Sequence, residues 1–250
     1  MQLDYDLWQI IAIILTYLSA AFAKGISGLG FSTMCLPFLA MTVGLKDALS
    51  LVIIPSVLAN LIIMHGAGQF TQTIQRFHLM LLATIPGLLI GLWILDVIDG
   101  GMAGALLGGI LIIWCLVSFA KPDFRLKPSL ENPLGVISGF LTGVVNGLTG
   151  SQVMPSLPYL MALGLNRQMF VQAMNCSFTL SSFVMALGLM KLDLFSIDAV
   201  LVSLIGTFFA FLGLKLGESY RSRLSTEMFR RTVLVMLSMM GASLIIRTIF

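Results

Sequence analysis

Two short stretches combine residue types that could do chemistry inside an apolar chain. Lys24-Gly25-Ile26-Ser27-Gly28-Leu29-Gly30-Phe31 sets three glycines and a serine into hydrophobic surroundings. Asn146-Gly147-Leu148-Thr149-Gly150-Ser151-Gln152-Val153-Met154-Pro155 does the same with two glycines and four polar side chains. Glycine at this density weakens a helix interior and lets backbone approach backbone or a ligand. One reading is close helix packing through small residues. The other is a helix break inside the apolar slab, with a new half-helix starting after Gly30 and after Gly150. Unpaired N–H groups and the positive dipole end of each half-helix would then face a shared cavity. Ser27, Asn146, Thr149 and Gln152 would add neutral donors, which are costly in an apolar medium unless paired or turned toward a cavity. Pro155 and Pro158 suit the first turn of a following helix, and Gly25, Pro37 and Pro55 are the other expected break or hinge positions. A dinucleotide-binding loop is excluded, because Gly28-x-Gly30 is not completed at Thr33 and no strand precedes it.

Asn60 follows Pro55, and Asn175 precedes Ser177, Thr179, Ser181 and Ser182. Each amide is either interhelical glue or part of the same cavity. The absences narrow the chemistry. No Asp or Glu occurs in 7–46, 48–95 or 132–192, so a carboxylate metal or sodium site, or an acidic proton relay, has no ligands to be built from. His65 and His78 flank a short polar stretch and read as solvated interface residues. Cys35, Cys115 and Cys176 lie alone in apolar runs and read as small hydrophobes rather than disulfides or zinc ligands. No nucleophile–base–acid set is present. The expected substrate site therefore comprises Ser27, Gly28, Gly30, Asn60, Asn146, Gly147, Thr149, Gly150, Gln152 and Asn175. It holds no metal and no cofactor, and with carboxylates absent it favours a small anion.

These residues need a scaffold. The chain has 250 residues, 58% hydrophobic and 10% charged, with a mean hydropathy of +1.02. Water could not solvate that much apolar side chain, whereas lipid can. The apolar runs do not alternate, so the scaffold is helical rather than a barrel. Ten segments can be marked, roughly 7–24, 28–43, 47–64, 76–95, 101–120, 134–149, 151–164, 168–190, 196–217 and 228–249. A bilayer-crossing helix needs about 20 residues, so 28–43, 134–149 and 151–164 are short, as expected of tilted or broken helices. Gly87-x-x-x-Gly91, Gly104-x-x-x-Gly108 and Gly213-x-x-x-Gly217 read as close helix crossings. The first segment lacks a positive flank and reads as retained rather than as a cleaved signal. The net charge of +3 comes from loop residues that orient a membrane protein, and no nucleic-acid partner is implied.

The chain also repeats. Ile26-Ser27-Gly28-Leu29-Gly30-Phe31, then Pro37, then Gly44-Leu45-Lys46 is echoed by Asn146-Gly147-Leu148-Thr149-Gly150-Ser151, then Pro158, then Gly164-Leu165-Asn166. The division is 1–120 as first repeat, 121–133 as linker loop and 134–250 as second repeat, with Gly28 and Gly147 expected to be equivalent. Lys121, Arg125 and Lys127 in the linker, and Arg221, Arg223, Arg230 and Arg231 around 218–231, should both be cytoplasmic. Four segments separate them, and five per half inverts the second repeat. The fold expected is an all-α integral membrane protein of two inverted repeats, with about eight full helices or ten segments including short broken ones.

Gly25-x-x-Gly28-x-Gly30 with Pro37, Gly143-x-x-x-Gly147-x-x-Gly150 with Pro155, and Leu212-Gly213-x-x-x-Gly217 before the arginines together resemble the TauE/SafE family, also called the sulfite exporter family. The resemblance covers nearly the whole chain. It implies a secondary transporter in the bacterial inner membrane that moves small sulfur-containing anions such as sulfite or organosulfonates. In that family a glycine pair often follows the second motif, where this chain has Ser151-Gln152. No P-loop is present, so an ion gradient, protons being one candidate, would drive transport by alternating access between the repeats. The competing readings are a membrane-embedded enzyme, which would need a polar catalytic cluster, and a passive anion channel. The partners expected are the bilayer and a small anionic substrate.

Overall fold

The computed structural model describes residues 5–28, 30–120, 125–195, 197–220 and 226–249; at 226–233, 236, 247 and 249 only the backbone is described. Among these residues the chain forms ten α-helices and no strand: α1 (Leu7–Ser27), α2 (Phe31–Val43), α3 (Leu45–Ala67), α4 (Phe70–Val97), α5 (Gly100–Ala120), α6 (Glu131–Thr149), α7 (Ser156–Ala162), α8 (Arg167–Lys191), α9 (Ile197–Tyr220) and α10 (Thr226–Ile249). They correspond one to one with the ten apolar segments. Six of them, α1, α3, α4, α5, α8 and α9, are long and apolar enough to cross a membrane. At 1.5 Å per residue, the 13 residues of α2 and the 7 of α7 span only about 20 and 10 Å, against a hydrocarbon core of about 30 Å. Large apolar side chains such as Trp93, Leu187, Ile205 and Phe208 are exposed on the outer surface. That surface is sustainable in lipid but not in water. The chain is a multi-pass membrane protein.

Local chemistry sets the helix ends. The Asp6 N–H donates to Gln9 Oε1 at 2.9 Å to start α1, and the Met169 N–H donates to Asn166 Oδ1 at 2.8 Å to start α8. The linker is shorter than expected. A 3-10 turn at Pro128–Leu130 leads directly into α6 at Glu131, because Asn132 and Pro133 fall in its first turn, where proline removes no needed donor. Residues 121–124, including Lys121, lie outside the described residues, as do 221–225 with Arg221 and Arg223. The side chains of Arg230 and Arg231 are likewise not described.

The helix ends also reveal the correspondence between halves. Gly28 closes α1 and Gly150 closes α6. Both adopt left-handed backbone, φ 83° and 73°, and their N–H groups donate to Lys24 O at 2.6 Å and Asn146 O at 2.7 Å. The offset is 150 − 28 = 122, so Gly147 corresponds to Gly25, and the expected pairing of Gly28 with Gly147 is corrected. Lys24 and Asn146 occupy the same place in the two repeats.

Helix directions follow from which glycine meets which neighbour. Gly213 lies against Leu18 and Gly217 against Phe22, so α9 runs parallel to α1. Gly139 meets Met80, Gly143 meets Thr84 and Gly147 meets Leu88, so α6 runs parallel to α4. Gly101 faces Thr248, Gly104 Leu244 and Gly108 Gly241, so α10 runs antiparallel to α5. Short turns among the described residues reverse the chain from α1 through α5, and the contacts above orient α6, α9 and α10. If α1 and α9 point one way, α8 and α10 point the other, α5 and α3 point with α1, and α4 and α6 oppose it. Each helix of the second half thus opposes its counterpart in the first. The packing obeys the same exchange: α1 pairs with α9 as α6 pairs with α4, while α3 crosses α8 and α5 crosses α10. Between the co-directional α1 and α3, α2 runs back, with the Phe31 ring 5.9 Å from that of Tyr17.

Candidate functional site

Some buried hydroxyls in the bundle are silent. Thr16, Thr84 and Thr149 each donate to the carbonyl four residues earlier in their own helix, at 2.7, 3.0 and 2.7 Å, which satisfies them locally. A different set gathers where α3 crosses α8, beside the ends of α1 and α6. Lys24 on α1 is fully buried, 0% exposed. Its Nζ donates to Asn60 Oδ1 on α3 at 2.5 Å and to Asn175 Oδ1 on α8 at 2.9 Å. Asn175 Nδ2 in turn donates to Val171 O at 2.8 Å and Gly28 O at 3.2 Å, tying the end of α1 to α8. Ser32 and Ser56 share a hydrogen bond of 3.0 Å between α2 and α3, and Gln152 Nε2 donates to Ser182 Oγ at 3.2 Å.

These groups surround two adjoining hollows. One, of about 20 Å³, is lined by Ser32, Asn146, Gly150, Gln152 and Ser182 with an apolar wall that includes Leu49 and Met185. That is room for about one water, and the side chains that line it are buried. The other is lined by Lys24, Asn60, Ser56, Gln152 and the first turn of α2, Gly30 to Thr33. Ser32 and Gln152 border both. Three amide atoms have no hydrogen-bond partner: Asn60 Nδ2 and both Nδ2 and Oδ1 of Asn146. Asn60 is 1% and Asn146 0% exposed. Each such buried orphan costs about 1–3 kcal/mol; the hydroxyls of Thr73, Ser138 and Ser177 are also unpartnered, but of these groups only the two asparagines border the hollows.

The expected site residues divide. Gly30, Asn60, Asn146, Gly150 and Gln152 line the hollows. Asn175 stands behind them, fully engaged with Lys24 and the end of α1. Gly28 shapes the break by its positive φ. Ser27 does not join: it is exposed and donates to Ala23 O at 2.9 Å. Thr149 spends its hydroxyl on Val145 O and on the Ser151 N–H, at 2.7 and 3.3 Å. Gly25 and Gly147 are packing positions, where an added Cβ would run into the backbone of α9 and α4 respectively. Pro37 and Pro55 sit inside continuous helices and make no break.

The two half-helices are not equivalent. The first turn of α2 follows Gly30 directly and faces the hollow, as expected. The α7 helix starts only at Ser156, six residues after Gly150. Its Ser156 N–H is taken by Thr142 Oγ1 at 2.9 Å, so the expectation of a second helix end aimed into the cavity is overturned. Pro155 contributes to the delay, because the residue before a proline avoids helical backbone, while Pro158 sits inside the first turn of α7.

Lys24 was not among the residues expected at the site. The signal was present: it is a lone cation in an apolar run, one residue before a motif glycine, as Asn146 is before Gly147. An ionisable side chain inside a membrane helix is a functional candidate by default. Among the described residues no group of His, Cys, Asp or Glu could hold a metal ion.

A family described as Sulfite exporter TauE/SafE matches residues 13–244. No curated protein and no solved structure matches the chain.

Proposed function

The chain belongs to the sulfite exporter TauE/SafE family, and we propose that it is a secondary transporter of a small anion, working by alternating access around a site enclosed between its two inverted halves. The observation that carries this reading is the pair of adjoining buried hollows where α3 crosses α8, one bordered by Asn60 and the other by Asn146, both with unpartnered amide atoms. Both helix breaks border it, one through Gly30 and the other through Gly150. No Asp or Glu is buried among the described residues, so the site is built from donors and repels no negative charge. A hollow this small must widen to admit a substrate, which fits a shuttling, occluded form better than a passive channel. An enzyme would need an activated nucleophile here, and the Lys24 amine bonds two amide oxygens rather than a serine hydroxyl, while Ser32 and Ser56 bond each other.

The family's name suggests sulfite or a related sulfur anion as cargo. Charge distribution suggests orientation. Where α6 begins and α9 ends lie Arg76, Arg125, Lys127, Arg167 and Lys215, with Glu131 and Glu218; the opposite ends carry Asp6, Asp47, Asp96, Asp99, Asp193 and Asp198 against Lys46 and Lys191. By the positive-inside rule the first face is cytoplasmic in an inner membrane. The test is uptake or efflux of labelled sulfite and a panel of small anions in liposomes, alongside melting of the purified protein with each anion, since a bound ligand raises stability by mass action. An anion that stabilises the protein and is moved in saturable fashion supports the reading. Non-saturating flux that follows voltage alone refutes it in favour of a channel.

A further inference from the structure

Lys24 is the only Lys, Arg, Asp or Glu fully buried among the described residues. An ammonium carries three donors, and here two reach neutral amide oxygens, Asn60 Oδ1 at 2.5 Å and Asn175 Oδ1 at 2.9 Å. Among the described residues no carboxylate pairs with it. Amide dipoles compensate a buried charge incompletely, and an unpaired ion in a protein interior costs several kcal/mol. A cation serving only as glue between helices would be improved by a carboxylate at either partner position, yet both partners are asparagine. The orphaned Asn60 Nδ2 borders the same hollow as Lys24 and as the first turn of α2, whose N–H groups have no partner within the helix.

We propose that Lys24, Asn60 Nδ2 and the first turn of α2 form the charge-binding subsite for the transported anion, and that this subsite selects a head group bearing one negative charge. The inference rests on the anion-transporter reading above. One ammonium neutralises one charge, and a helix terminus adds only about half of one. The other half of the protein supplies none, because the position equivalent to Lys24 is the neutral Asn146. A dianion would therefore enter with its second charge at best half compensated. The subsite also reports its occupancy. Lys24 bridges Asn60 in the first half and Asn175 in the second, so an anion that draws the ammonium toward itself weakens a bond between the halves.

The experiment uses the full chain purified in detergent, with melting temperature as readout. Methanesulfonate serves as the singly charged probe and sulfate as the doubly charged one, at matched ionic strength with chloride as reference. Methanesulfonate should raise the melting temperature and sulfate should not. Lys24→Met should weaken methanesulfonate binding by about 10- to 100-fold, the loss of one charge-assisted bond. Asn60→Asp is the second variant. It puts a carboxylate where the amide oxygen meets the ammonium, so it should melt above the parent while losing the response to methanesulfonate. A parent that responds, with both variants responding equally well, overturns the subsite but leaves anion transport standing. An equal response of the parent to sulfate overturns the single-charge selectivity. A parent that responds to neither probe, and moves no anion in liposomes, overturns the transporter reading itself.

Discussion

Gly147→Ala adds one methyl group at the centre of the α4·α6 seam. An ideal Cβ there falls on Leu88 O, Leu92 N at 2.7 Å and Gly91 C at 2.9 Å. All three are backbone atoms of a packed helix, so no side chain can rotate aside and α4 must retreat. The seam is continuous: Gly139, Gly143 and Gly147 on α6 interleave with Gly87 and Gly91 on α4, and prying it open at one point loosens its neighbours. Overpacking of this kind costs about 1–3 kcal/mol. Alanine returns up to about 1 kcal/mol through better helix propensity, leaving a net loss of up to about 2 kcal/mol. Gly109→Ala in α5 is the control. Nothing lies within 4 Å of its added Cβ, so only the propensity gain applies and the variant should melt slightly above the parent. The assay is thermal unfolding of both variants in one detergent, paired with anion transport in liposomes. A Gly147→Ala protein as stable and as active as Gly109→Ala would refute the claim that direct backbone contact holds these helices together.

The remaining predictions concern the site and the topology. Gly28→Ala should lose about 1–2 kcal/mol from the positive φ of 83° alone, since its Cβ meets only Val171 at 3.6 Å. Gly150→Ala adds collision with Leu36 and Leu49 in the hollow wall, so it should impair anion binding more than Gly28→Ala does, read as a smaller ligand-induced melting shift. Asn146→Leu removes two unpartnered polar atoms and should raise the melting temperature while reducing transport; loss of stability with normal transport would contradict its place in the site. Gln152→Leu should weaken anion binding by about 1–3 kcal/mol, and normal transport would make Gln152 a spectator. Single cysteines at Lys127 and Tyr220 should be labelled from one side of the membrane and a cysteine at Asp198 from the other; labelling of Lys127 and Tyr220 from opposite sides would break the inverted arrangement.

All ten helices were legible from sequence because lipid demands long uninterrupted apolar runs, and a run is visible without knowing its neighbours. The packing motifs were equally plain: Gly87, Gly91, Gly213 and Gly217 all fall at crossings. Register was less legible. Pairing Gly28 with Gly147 treats the glycines as interchangeable, whereas one requires left-handed backbone and the other a bare Cα against a neighbour. Neither requirement is written in the letter G. The roles of polar residues were least legible, because they depend on whether a hydroxyl finds a carbonyl in its own helix, as Thr149 does, or is passed over, as the Asn146 amide is. Lys24 is not legible as a site residue because a charge beside a helix end looks like a loop residue until the fold encloses it.

Both long glycine seams join a helix from one half of the chain to a helix from the other. A protein cut after Ala120 would therefore yield two pieces, neither with a finished surface: the first would bare the grooves of α1 and α4, the second those of α6 and α9. Since the two seams are counterparts, one half carries both sides of a usable joint, and two copies inserted in opposite orientations could in principle close both. The two pieces would still differ at the site, the first carrying Lys24 where the second carries Asn146.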